Sequence, residues 1–230
     1  VQEAIETALW RLTGERITIR YAGRTDAGVH AEGQVVAFET GRALDERSVL
    51  AGLNANLPPT IVAWEAKPVE PGYDPRRRAV SRVYRYQIEQ RPWPSPFLRR
   101  YSWHVREPLD IAAMHRAAQA LVGEHDFAAF AHRSGVAVGS TVRRVRSIAV
   151  RRVADLVLVE IEADAYLPHM VRNIVGTLVW VGRGRLDGPA ITRILASRDR
   201  RRAGPAAPGH GLFLVRVRYP DDPPEVGEKE

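Results

Sequence analysis

One carboxylate in this chain is set apart by its neighbours. In Gly23-Arg24-Thr25-Asp26-Ala27-Gly28-Val29-His30, Asp26 lies between two glycines and two residues after an arginine. Glycines let a backbone turn sharply and let a ligand approach closely. A carboxylate presented from such a turn can attack an electrophilic carbon. Apolar alternation at Ile17, Ile19 and Tyr21 precedes the stretch, and the β-rich run Val35, Val36, Phe38 follows it. The pattern predicts strand, turn, strand, with Asp26 at the turn. Taken alone, Thr25-Asp26-Ala27-Gly28 reads more simply as ordinary turn chemistry.

Charge and composition narrow the class of partner. The chain has 230 residues and a net charge of +7. Only Lys67 and Lys229 are lysines, so 34 − 2 = 32 of the basic residues are arginine. A GC-rich coding sequence favours arginine, and so does a phosphate-rich partner, because guanidinium binds phosphate as a fork and stacks on bases. Arg76 to Arg78, Arg82, Arg85, Arg99-Arg100, Arg143-Arg144, Arg146 and the run 198–202 recur beside aromatics and strands. Interleaved arginines and aromatics are the usual footprint of RNA binding, although the 198–202 run alone reads as a solvated face. Cysteine is absent, so there is neither a disulfide framework nor a thiolate metal site, and a reducing compartment is permitted. No apolar run approaches a membrane span in length.

The elements that must position Asp26 follow from periodicity. Helices are predicted over 2–13, 46–57, 108–122, 168–182 and 188–197, and strands over 16–21, 33–39, 61–64, 80–89, 141–150, 156–163 and 211–219. Pro92, Pro94 and Pro96 mark a connection between two halves. The expected organisation is an N-terminal α+β half over 1–95 with the Asp26 turn, a C-terminal α+β half over 96–220, and a loose acidic tail over 221–230. The expected fold class is α+β: a shared, mostly antiparallel sheet built from two similar halves, with helices packed on one side. The helix over 168–182 is apolar enough to be buried on most sides.

Several stretches, in order, resemble one family. Gly23 to Ala31 followed by Gln34-Val35-Val36 closely resembles the catalytic motif of the TruA-type tRNA pseudouridine synthases. Asn54-Ala55-Asn56-Leu57-Pro58, Tyr84-Arg85-Tyr86, Gly123 to Phe127 and His169-Met170-Val171-Arg172-Asn173-Ile174-Val175-Gly176 match the same family. Each match is weak by itself; the ordered set, spanning residues 1 to about 219, is specific. The resemblance implies the pseudouridine synthase fold and an enzyme that converts uridine to pseudouridine at positions 38, 39 and 40 of the tRNA anticodon stem-loop. It also implies a cytoplasmic homodimer with tRNA as partner, and neither a cofactor nor a metal.

By the same resemblance Asp26 is the catalytic aspartate and Arg172 its cationic partner. A buried carboxylate tends to gain a proton, and a guanidinium opposes that, so an Asp26–Arg172 ion pair is expected. Tyr84 matches the active-site tyrosine, whose ring would stack on the detached uracil and whose hydroxyl would move a proton; the lesser alternative for an aromatic in a strand is a core tyrosine. Arg24 would fill the space left by the extruded base or grip its phosphate, and Leu212 would line the uracil pocket. His30, Gln34, Asp126 and Phe127 read as local structure.

Relatives usually begin with an extra strand and a Tyr-Asp-Gly…Gly-Trp-Gln loop before the first helix, whereas Val1 already lies at that helix. The expectation is a fragment or a shortened chain, with an open sheet edge. Two other functions fit parts of the sequence. One is a non-catalytic RNA-binding module that keeps the basic surface. The other is a glycosidase-like hydrolase, which needs a second carboxylate across the bond; Glu32 is the nearest candidate.

Overall fold

The computed structural model describes residues 1–132 and 139–222. Close contacts divide the chain into two compact units, residues 1–24 with 35–78 and residues 25–34 with 79–230. This division differs from the expected halves 1–95 and 96–220. The reason lies in β4 (Ser81–Glu89), which belongs to the first expected half but is hydrogen-bonded on both sides to strands of the second. Of the expected tail 221–230, residues 223–230 lie outside the described residues.

In the first unit, the helix Gln2–Thr13 ends at Gly14, whose left-handed φ of 78° returns its N–H to the Trp10 carbonyl. It packs on the helix Glu46–Asn56, which Asp45 caps by accepting from the Ser48 N–H. A Cβ on Gly52 would lie 2.4 Å from a Leu12 methyl, so the missing side chain is what lets the two helices approach. Ala8, Leu9, Ile19 and Leu53 form the small core.

The strands of this unit are shorter than expected. Only β1 (Arg20–Tyr21) and β3 (Val36–Ala37) pair, antiparallel. The Ile19 N–H goes instead to the Glu6 carboxylate at 3.2 Å. Residues 61–64 form no strand. The Asn54 amide takes both backbone groups of Ala63, at 2.9 and 2.8 Å, and leaves neither for a ladder.

Among the described residues, the second unit holds a seven-stranded sheet. Its main path runs β2 (His30–Ala31), β9 (Leu212–Arg218), β4, β8 (Leu156–Ala163), β7 (Val142–Val153) and β6 (Gly123–Asp126), while β5 (Trp103–His104) pairs with β4 off that path. All pairings are antiparallel except β2 with β9 and β4 with β5. Along β8 the side chains of Val157, Val159, Ile161 and Ala163 are buried while the alternate residues are partly exposed, the period of a sheet covered on one face. The helices Ile111–Ala118, Met170–Gly182 and Ala190–Ser197 share that core through Met114, Ile174, Leu178 and Ile191. The fold is therefore α+β with a mostly antiparallel sheet, as the sequence predicts. In the helix Met170–Gly182 only Arg172 and Trp180 escape full burial.

Candidate active site

The Asp26 loop belongs to the second unit. The Val29 N–H donates to the Asp26 carbonyl at 3.1 Å, closing a four-residue turn. Gly28, third in that turn, has φ 79°, a value that a side chain there would resist. The chain then enters β2 alongside β9, with His30 opposite Phe213. Beyond it, the Glu32 and Gly33 N–H groups both reach the Leu214 carbonyl. A Cβ on Gly33 would lie 2.3 Å from the Val215 carbonyl oxygen, so only glycine permits this approach.

The turn brings the Asp26 carboxylate to the first turn of the helix Met170–Gly182. Arg172 Nη1 donates to Asp26 Oδ2 at 2.9 Å, and His169 Nε2 lies 3.4 Å from the same oxygen. The Asp26 side chain is 33% exposed and that of Arg172 17%. This geometry suits a charge-assisted bond to a side chain that keeps partial contact with solvent. His169 precedes the helix with φ 61°, a left-handed conformation uncommon for a residue with a side chain. Burial holds the His169 imidazole below its ordinary pKa against the pull of Asp26, and Arg172, His132 and Arg200 add to the lowering. The His132 ring lies 4.8 Å from that of His169.

Tyr84 stands on β4, where the ladder to β9 shifts register. Its ring meets that of Tyr166 edge-on at 4.9 Å. Burial pushes the Tyr84 phenol up to about 12; Arg82 opposes this and the Asp26 charge adds to it. Strand periodicity puts Tyr84 and Tyr86 on one face. Leu212, buried at the start of β9, pairs with Tyr86 and so belongs to that face too.

The structure thus brings Asp26 and Arg172 into contact, and the Asp26 charge adds to the upward shift of the Tyr84 phenol. Leu212 is on the tyrosine-bearing face. Arg24 is exposed and belongs to the first unit. The other motif residues serve local structure: the His30 ring stacks on Phe213 and its Nε2 bonds the Arg100 carbonyl at 2.8 Å. Phe127 is fully buried, and Asp126, at the end of β6, accepts from Thr141 and the Ala128 N–H. Glu32 is engaged in an ion pair with Arg85, which leaves it unsuited to the second carboxylate of a hydrolase. The residue to which the sequence reading gave no role is His169. Its spacing of three from Arg172, across one helical turn, is the signal that places both on one side.

A model of the family described as tRNA pseudouridine synthase matches residues 117–220. The tRNA pseudouridine synthase A of Myxococcus xanthus is 44% identical over 225 residues, covering 97% of this chain and 84% of that protein. The protein of the same name from Moorella thermoacetica is 50% identical over 224 residues, covering 95% and 89%. For Acidiphilium cryptum the identity is 46% over 226 residues, covering 97% and 88%. With this identity along nearly its whole length, the chain belongs to the tRNA pseudouridine synthase family of isomerases.

Proposed function

We propose that the chain isomerises uridine to pseudouridine at positions 38, 39 and 40 of the tRNA anticodon stem-loop, with Asp26 as nucleophile. The observation that carries this reading is the 2.9 Å pair between Arg172 and the carboxylate of Asp26, whose side chain is still one-third exposed. A guanidinium at that distance favours the anion, and the partial exposure of the side chain leaves it within reach of a ribose.

The reaction breaks the bond from ribose C1′ to uracil N1. Asp26 attacks C1′ as N1 departs with the bonding pair. The freed uracil turns, its C5 bonds to C1′ as the carboxylate leaves, C5 gives up its proton, and N1 takes one. The sum is redox-neutral, and this reading assigns it no cofactor. Arg172 stabilises the carboxylate each time it is released. The Tyr84 ring stacks on the uracil and keeps it from escaping, a contact of roughly 1–3 kcal/mol. Leu212 is the apolar wall of the pocket. Extruding a base costs a few kcal/mol. Arg24 offsets this by filling the vacated space or gripping the phosphate.

The partners in this reading are tRNA and a second copy of the chain, and the setting is the cytoplasm. The arginine clusters that recur beside aromatics and strands support the first. The large exposed side chains Trp93 and Phe97, 77% and 86% accessible, support a covered surface. Light scattering that finds only monomer overturns the dimer.

The experiment is tritium release from tRNA labelled at uridine C5. The chain should release tritium with no strand loss and no free uracil, and Asp26→Asn should abolish release while tRNA binding persists. Undiminished release from Asp26→Asn overturns the proposal. Tight binding with no release from the unaltered chain identifies a non-catalytic RNA-binding module, and free uracil identifies a hydrolase.

A further inference from the structure

The Arg172 guanidinium is held by more than Asp26. Its Nε donates to the Ala207 carbonyl at 2.8 Å, and the Ala207 N–H donates to the Arg172 carbonyl at 3.0 Å. This reciprocal pair clips residue 207 to the first turn of the helix Met170–Gly182.

The segment 203–208 that carries Ala207 is fastened along its length. Arg200 donates to Asn173 Oδ1 at 2.8 Å and to the Ala203 carbonyl at 3.2 Å. The Gly204 N–H donates to the Thr177 hydroxyl at 2.9 Å, and that hydroxyl donates to the Asn173 carbonyl at 2.7 Å. Asn173 and Thr177 are buried. Backbone also lies directly on backbone: a Cβ on Gly176 would fall 1.7 Å from the Pro205 carbonyl oxygen. At the far end, the hydroxyl of the fully buried Tyr86 donates to the Pro208 carbonyl at 2.8 Å.

An arginine side chain is long and flexible, and one ion pair to a part-exposed carboxylate holds it weakly. A guanidinium is planar, so the bond from Nε, together with the chain's hold on Cδ, restricts where Nη1 and Nη2 can lie. The Ala207 carbonyl therefore limits where Nη1 points, and the position of Ala207 is decided by the fastenings around it.

We propose that segment 203–208 is the positioning element for the Arg172 guanidinium. Tyr86, through its bond to Pro208, is a positioning residue for the reaction. This rests on the function proposed above and adds to it a residue that acts on Asp26 only through Arg172.

A double-mutant cycle tests it. Single-turnover tritium release and tRNA dissociation constants are measured for the unaltered chain, Tyr86→Phe, Arg172→Lys and the double variant. Tyr86→Phe should slow release about tenfold with tRNA affinity within about twofold, since small misplacements of a catalytic group act on rate. In the Arg172→Lys background the same change should cost less than about twofold. Equal losses in both backgrounds, an unchanged rate, or a loss carried by affinity overturns the proposal. If Tyr86→Phe fails to fold, Thr177→Val, which frees the Gly204 N–H from the helix, is read by the same cycle. An unaltered chain that releases no tritium removes the function and this proposal with it; an active chain with an additive cycle removes the proposal alone.

Discussion

Arg172 Nη1 and Asp26 Oδ2 meet at 2.9 Å although 146 residues separate them in the chain. Strand β9 is what closes that separation. On one side it pairs with β2, which follows the Asp26 turn, and on the other with β4, which carries Tyr84 and Tyr86. The segment running into β9 is the one that lies on the Arg172 helix. The site is thus a consequence of sheet order, and its parts move together if β9 shifts.

Arg172→Lys should lower the single-turnover rate by roughly 10–100-fold while leaving tRNA affinity within about threefold. An ammonium can reach Asp26 or the Ala207 carbonyl but lacks the planar fork that serves both. A charge-assisted hydrogen bond is worth about 1.5–3 kcal/mol, which sets the size of the loss. Tritium release with enzyme in excess measures it. An unimpaired Lys variant shows that a point charge suffices and that the guanidinium geometry is immaterial.

Much of this was legible in the sequence, for physical reasons that differ by element. Strand β8 announces itself because burial of one face imposes a period of two on its side chains, and the helix Met170–Gly182 because burial on nearly all sides demands a long, almost unbroken apolar run. The Asp26 turn is legible because Gly28 must adopt a positive φ. The missing strand at 61–64 is not, since it depends on Asn54 capturing Ala63 across a turn, a contact that leaves no period. The short ladder of β1 fails for the same reason, with Glu6 taking the Ile19 N–H. Tyr86 and Ala207 are invisible as contributors because one acts through a hydroxyl at the end of a core ring and the other through a backbone carbonyl.

Tyr84 should matter more as a ring than as a base. With the phenol pushed up to about 12, the phenolate is roughly one part in 10⁵ at neutral pH. Tyr84→Phe should therefore keep glycosidic cleavage close to that of the unaltered chain. Tyr84→Leu should lose up to about 100-fold, the worth of one base stack. Comparing the two variants in a rapid-quench assay of the ribose bond decides between stacking and proton transfer. Equal losses from both substitutions point to the hydroxyl.

His169 should give the enzyme an acid limb. Its folded pKa lies below the ordinary 6.5 because of burial. Above about 6.5 the imidazole is neutral in both folded and unfolded chains. As pH falls below that value the unfolded chain takes up the proton first, so His169 withdraws stability until the folded ring also titrates. Once it does, a second cation stands 3.4 Å from Asp26 and competes with any attack by that oxygen. Release rates should fall on acidification through the range below the ordinary imidazole value in which the folded ring takes up its proton, and His169→Gln should flatten that part of the profile without changing the plateau. An identical acid limb in both proteins assigns it to another group.

Packing of the 203–208 segment on the helix can be tested by glycine substitution. A Cβ on Gly176 would meet a backbone oxygen at 1.7 Å, whereas one on Gly188 meets nothing within 4 Å. Backbone cannot step aside as a flexible side-chain end can, so Gly176→Ala must either lift the segment or distort the helix. Overpacking of this kind costs about 1–3 kcal/mol. Gly188→Ala should stay within about 0.5 kcal/mol of the unaltered chain, as surface changes do. Urea unfolding followed by circular dichroism compares the two. Because Ala207 moves with the segment, Gly176→Ala should also slow tritium release by more than its loss of folded population accounts for at temperatures where both proteins remain native. If the loss in rate equals the loss in folded protein, the segment supports the fold and does nothing further for Arg172.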